Sequence, residues 1–374
     1  MAPRKKRNPE DSPPKLVKYD EQMDLFTTYV GDQDKQRTNF MMIWDQIPRY
    51  TFDEAEQRKL RDSKGRLDAL ERNVEIKVGK DSKGDDLYLN CHVEIKPALL
   101  NLDGQYMNYY LTPRDYLVEL ALRDIFQRTE HGIYDPARKK SWLYFSLNMV
   151  LDLLSDWNHT FSYEELRRSI LVLSNTDIVI TTETDRYEER VLSKLKTVNR
   201  KKYETSTGND SLWSCLLPDL VSDAIENGYY KQINSDLFMS LGMPVSQHIY
   251  TWLECRFTQA SPELTYPIKY SVIKKNTWFL DTGTKSNQFK KLERAIKELV
   301  KKGIIQPDYE KEEEEDPRDK RRKLDVTYTV KPTVKFARNK MINNTKDKRV
   351  LKHFAKKGEV AELNAKLLEI EKIL

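Results

Sequence analysis

Cations recur at Lys290, Arg294, Lys297 and Lys301, opposite a stripe of Phe289, Leu292, Ile296 and Leu299. At helical spacing this is a one-sign ridge on the back of an apolar face. Such a ridge, with Lys285 and Lys291 beside it, matches phosphate oxygens along a nucleic-acid groove. Residues 285–302 hold seven Lys/Arg against two Glu, a stronger bias than a merely solvated face needs. Ser286, Asn287 and Gln288 fill the first turn, where polar side chains reach base edges in a major groove. The chemistry expected here is capture and reading of duplex DNA.

A second cationic group, Arg318, Lys320, Arg321, Arg322 and Lys323, falls between two predicted strands. A hairpin tip of that kind reaches a minor groove or a phosphate backbone. Its acidic neighbours, Glu312 to Asp316, oppose that role and suit self-shielding or a partner. The first half of the chain has a fainter counterpart. Arg167 and Arg168 lie on a predicted helix, Arg186 and Arg190 in the hairpin after it, and Arg200, Lys201 and Lys202 beyond. This half is more acidic, and both DNA binding and homodimer formation stay open for it.

Other chemistries find less support. Glu94 and Lys96 end a strand that Asp85 and Asp86 precede, the spacing of a D…E-x-K nuclease site for Mg²⁺. E-x-K is also ordinary alternation on a half-exposed strand. The five histidines show no H-x-H or H-E-x-x-H pattern, and nothing selects a nucleophile among 20 Tyr. The three cysteines lie far apart, so neither a disulfide framework nor a C-x-x-C zinc pair is expected. With 12 Gly and no phosphate-loop or dinucleotide fingerprint, no cofactor is expected, and no enzyme.

These residues need elements to hold them. Residues 73–80 and 86–96 alternate around DSKGD and predict a β-hairpin. Residues 112–128 predict a helix with Thr112 as cap and Pro113 in first place. Residues 143–157 read as a second helix, with Ser146 as cap. Residues 161–175 read as a third, opened by the Ser162/Glu165 capping box. A β-branched strand over 177–184 and a charged segment follow. The second half repeats the order: helical stretches at 217–228, 234–242 and 243–259, a short element at 269–275, and a helix at 285–303 closed by Gly303. Strands are expected at 304–310 and 324–330, around the charged run 311–323. Helices followed by strand, charged tip and strand are the order of a winged helix-turn-helix.

The chain has 374 residues, room for two domains with tails, and a net charge of only +5. Its placement says more than its total. Residues 331–374 carry 12 Lys/Arg against 5 Asp/Glu, so the remainder outside this tail and helix 285–302 is net acidic. Val360, Leu363, Leu367, Ile370 and Leu374 form a short apolar stripe suited to packing on the body. No apolar run is long enough for a membrane span, and no apolar segment follows the basic N-terminus. A cytoplasmic protein without membrane partners is expected.

The stretches TPRDYLVELALRDIF, WLYFSLNMVLDLL, YEELRRSILVLSNTDIVI, ENGYYKQINSDLFMSLGMPVSQHIYTWL and FKKLERAIKELVKKGII resemble plasmid replication initiator proteins of the two-winged-helix kind. They span roughly 110–310. The resemblance implies binding to repeated duplex sequences at an origin, help in opening it, and recruitment of host replication factors. It also matches helices 163–174 and 286–302 to the two DNA-reading helices. The expected fold is α+β and helix-rich, with two tandem winged-helix domains, a small N-terminal β-hairpin element and a C-terminal helical tail. The divisions are a basic arm (1–20), a helical and hairpin region (21–104), winged helices at 105–210 and 217–335, and the tail (336–374). A transcriptional regulator or partition protein, or a metal-dependent nuclease, are the alternatives.

Overall fold

The computed structural model describes residues 37–41, 43–80, 86–102, 104–127, 131–135, 138–197, 212–227, 230–257 and 261–341. The arm 1–20, the hairpin turn with Asp85, Arg200 to Lys202 and the stripe 360–374 lie outside them.

Strand β1 (Arg37–Met41) leads through a 3-10 turn to helix α1 (Glu54–Leu60), where the Asp53 side chain caps the Glu56 amide. β2 (Leu70–Lys80) and β3 (Asp86–Lys96) form the expected long hairpin, and β4 (Ala98–Leu102) and β5 (Gln105–Tyr109) a shorter one that has no counterpart in the sequence reading. Helix α2 (Pro113–Gln127) starts at a reciprocal cap. Thr112 donates its amide to Asp115 at 2.7 Å, and its hydroxyl accepts the Asp115 amide at 3.3 Å. Its end abuts Gly132, where an added Cβ would sit 2.0 Å from the Phe126 carbonyl oxygen.

Next come β6 (Gly132–Asp135) and β7 (Lys140–Ser146), then α3 (Leu147–Asp156) and α4 (Tyr163–Asn175). The expected helix 143–157 is therefore corrected: its first part is strand β7. Trp142 and Leu143 are buried in succession and Phe145 is buried beyond them, so the strand lacks strand alternation. Ser146 does cap α3, and Ser162 with Glu165 does close a capping box on α4.

β8 (Asp177–Thr181), β9 (Arg186–Arg190), β10 (Ser193–Thr197) and β11 (Leu212–Leu216) complete the first half. β8 and β9 extend the N-terminal hairpin into a sheet ordered β2-β3-β8-β9. The hairpin that returns to β7 is instead β10–β11, in a sheet ordered β10-β11-β7-β6. Arg186 and Arg190 thus stand on a different sheet from the strand preceding α3.

The second half holds α5 (Asp219–Asn227), β12 (Tyr230–Asn234), α6 (Ser235–Met239) and α7 (Pro244–Arg256). Then follow β13 (Tyr266–Lys269), α8 (Tyr270–Lys275), α9 (Lys285–Lys301), β14 (Glu310–Asp316) and β15 (Asp319–Val330). Gly303 takes φ +67° just past α9, as its place in the sequence requires. The expected strand 304–310 is corrected: Ile304 and Ile305 are buried, Ile305 bridges Pro332, and the charged run itself forms β14. The sheet order is β13-β15-β14. Both halves therefore share one plan. A strand (β7 or β13) precedes two helices, and the second strand of a later hairpin (β11 or β15) pairs back onto it; in the first half β8 and β9 intervene and join the N-terminal sheet instead.

The halves are stitched together. β1 pairs antiparallel with β12, Met41 opposite Tyr230, and one hydrophobic core runs through both. Under it Arg49 contacts Asp45 at 2.9 Å and Glu119 at 2.8 Å, while Arg123 contacts Asp45 at 2.8 Å. Trp44 and Tyr50 also donate to Glu119. Burial opposes the charge on Arg49, but Glu119 and Asp45 outweigh it and raise its pKa. At the far end Phe336 and Ala337 are buried, and Lys340 donates to Glu254 at 2.8 Å.

Candidate nucleic-acid interface

Thr284 caps α9 by accepting the Asn287 amide. The helix buries Leu292, Ala295, Ile296 and Leu299 and packs on α7. Glu298 fixes its rotation by accepting the amides of Gly242 at 2.8 Å and Met243 at 3.2 Å. These contacts turn the other side outward. Lys285, Ser286, Asn287, Lys290, Arg294, Lys297 and Lys301 are all exposed.

Their engagements differ. Lys290, Arg294 and Lys301 have no carboxylate partner among the described residues. Lys297 donates to Glu293 at 2.7 Å, and this bond holds its pKa above the usual value. Lys291 donates to Thr282 at 2.7 Å and is half-buried. Gln288 does not join the exposed set. It is buried, with its carbonyl oxygen accepting from Tyr270 and from Lys274 at 3.0 Å, and its amide donating to the Gly283 carbonyl at 3.1 Å. It ties α8 to α9 and is spent on that, leaving Ser286 and Asn287 as the open polar residues of the first turn.

A groove separates α9 from the hairpin β14–β15, with Lys285, Lys290 and Phe289 on one wall and Lys311, Lys323 and Tyr328 on the other. Carboxylates compensate much of its charge. Glu313 pairs with Lys311 at 2.7 Å and with Lys323, and Lys311 lies 3.7 Å from Glu293. Lys269 adds contacts at 3.6 Å to Glu314 and to Asp325. Arg318 is exposed at the tip between the strands, while the side chains of Lys320, Arg321 and Arg322 lie outside the described residues.

In the first half, Arg168 pairs with Glu54 of α1 and Arg190 with Asp177 of β8. Arg167 and Arg186 remain exposed without a carboxylate partner among the described residues. Glu164 and Glu165 stand in the first turn of α4, so this helix opens acidic where α9 opens polar and basic.

Sequence reasoning missed Lys274 and Lys275, which close α8 beside the first turn of α9. The Lys-Lys pair in YSVIKK was the available signal. Lys275 pairs with Glu75 of β2.

Of the nuclease constellation, Glu94 and Lys96 stay neighbours on β3, while Asp85 and the side chain of Asp86 lie outside the described residues. Lys96 is held by Glu188 at 2.9 Å, and Glu94 lies in register with Glu71 and Val179 inside the sheet. Among the described residues no group of three His, Cys, Asp or Glu is arranged to hold a metal ion, and no helix is long and apolar enough to cross a membrane. His248 is structural in its surroundings. Burial, then Arg256, push its pKa down to about 4.

No family model and no curated protein matches this chain. The solved structures similar to it include two of RctB. One is the selenomethionine form of domains 2 and 3 of RctB, with a TM-score of 0.42 and 14% identity, covering 74% of this chain and 95% of that one. The other, again of RctB domains 2–3, has a TM-score of 0.36 and 13% identity, covering 77% and 99%.

Proposed function

We propose that this chain is a non-enzymatic replication initiator that binds specific duplex DNA repeats and promotes origin opening. The observation that carries the DNA reading is α9. Its cationic ridge is exposed, its first turn offers Ser286 and Asn287, and it follows α8 in the chain and faces the β14–β15 hairpin across a groove. That is the setting of a recognition helix, with the hairpin as the wing.

In this reading the units expected at 105–210 and 217–335 are two winged helices, the first running on through β11 to Leu216, and the β7/β10/β11 and β13/β14/β15 sheets are their wings and first strands. The second unit supplies most of the phosphate contacts. The first contributes Arg167 and Arg186, or a surface for a second copy. The step from DNA binding to initiation rests on the resemblance of residues 110–310 to plasmid initiators, and it brings host replication proteins as partners and the cytoplasm as the place of action.

The experiment is selection of bound DNA from random fragments of the source replicon. The expected outcome is a repeated site beside an AT-rich tract. Recovery of a lone promoter site would make the chain a regulator, and absence of any shared site would end the specific-reader reading. Incubation of the same DNA with Mg²⁺ should leave it uncut.

A further inference from the structure

Arg72 belongs to β2 of the N-terminal hairpin, yet its guanidinium lies in the second half of the chain. It donates to the main-chain carbonyl oxygens of Lys274 at 2.6 Å and of Thr277, and it pairs with Asp281. Its plane lies over the Trp278 ring, 3.9 Å from the centroid. All these partners sit at the end of α8 or in the turn leading to α9.

The chemistry is specific. The last carbonyls of a helix have no intrahelical donor, and Lys274 is in the last turn of α8. A flat fork with several donors can satisfy two carbonyls and a carboxylate while stacking on an indole; an ammonium cannot. Trp278 is pinned from the other side, since its ring N–H donates to the Pro48 carbonyl at 2.5 Å. The turn then runs through Gly283, at φ +79°, into the Thr284 cap of α9. The conformation of this turn sets where the first turn of α9 points.

We propose that Arg72 is the positioning residue for α9, a strut by which the N-terminal hairpin holds the helix-turn-helix in its DNA-reading geometry. This rests on the DNA-binding reading above. Arg72 itself touches no DNA in this account, so its loss should differ in kind from loss of a contact.

The test uses the full chain with R72K and, as a contact control, K290A, on the duplex recovered by selection. R72K should weaken binding about tenfold at every salt concentration, because reading geometry is lost while the count of phosphate contacts is kept. K290A should instead lower the salt slope by about 1. Amide exchange across 276–284 should rise about tenfold in R72K and stay unchanged in K290A. D281N, which removes the carboxylate anchor from the other side, should repeat the R72K pattern and serves if R72K does not fold. Unchanged affinity, a loss with a shallower slope, or unchanged exchange in the turn overturns the proposal. Failure of the wild-type chain to bind any duplex removes the functional reading instead, and exchange in the turn then decides the strut by itself.

Discussion

Glu313 stands between Lys311 and Lys323 and pairs with both, across the two strands of the hairpin that faces α9. One carboxylate thereby restrains two cations next to the cationic ridge. The hydrogen bonds from these lysines hold the Glu313 carboxyl below its usual pKa. E313Q should release Lys323 toward phosphate and leave Lys311 with Glu293 alone. Affinity for random duplex should rise and its salt slope steepen by about 1 to 2, so the ratio of specific to random binding falls. Titration at several salt concentrations reads all of this, and an unaltered slope would remove the hairpin from the interface.

The ridge makes a complementary prediction. Arg294 and Lys297 are exposed on the same face of α9. Replacing both with Ala should weaken binding and lower the slope by about 2. Lys291 is already held by Thr282 and half-buried, so K291A should change the slope less. Helix content should be unchanged in both variants, as circular dichroism would show.

Buried and exposed ion pairs should part company in stability. Glu119 accepts from Arg49, Trp44 and Tyr50 deep under the core. E119Q leaves two buried guanidiniums sharing Asp45, and should cost about 3–5 kcal/mol. Lys59 and Glu56 form a pair at 2.9 Å on the surface. K59A should change stability by less than about 0.5 kcal/mol. Urea unfolding measures both.

Stability should also carry a pH signature from Glu189. Burial, then repulsion from Asp219, raise its carboxyl pKa to about 7, against an Asp219 amide bond and Lys140; Asp223 adds repulsion. The folded chain thus holds a proton that the unfolded chain releases near pH 4.5. The contribution of this group is full below that pH and is lost as pH rises through 7. E189Q should stabilise the protein by about 1–2 kcal/mol at pH 8 and not at pH 4.5. Melting curves across that range would show the difference closing.

Local chemistry was the legible part. Ser146, Ser162 with Glu165, and Gly303 each mark an element end through contacts within a few residues, and each does so in the structure. The strand at Lys140–Ser146 was not legible, because a short apolar run has no period that separates strand from helix. Nor was β14, whose Glu-rich sequence has poor strand propensity and is held by cross-strand partners such as Lys323. At the interface the ridge was readable as a pattern. The burial of Gln288 was not, because it depends on Tyr270 and Lys274 folding back beneath it. Arg72 left no local trace at all: its partners lie some two hundred residues downstream.

The pairing of β1 with β12 has a consequence for synthesis. Met41 emerges from the ribosome long before its partner Tyr230. At ordinary elongation rates the gap is roughly 10 to 40 s. During that interval β1 has no β12 to pair with. When β12 does appear, the nearest free copy of β1 belongs either to the same chain or to a neighbour on the same message. Crowded translation therefore favours strand exchange between nascent chains, and slow, dilute expression favours closure of each chain on itself.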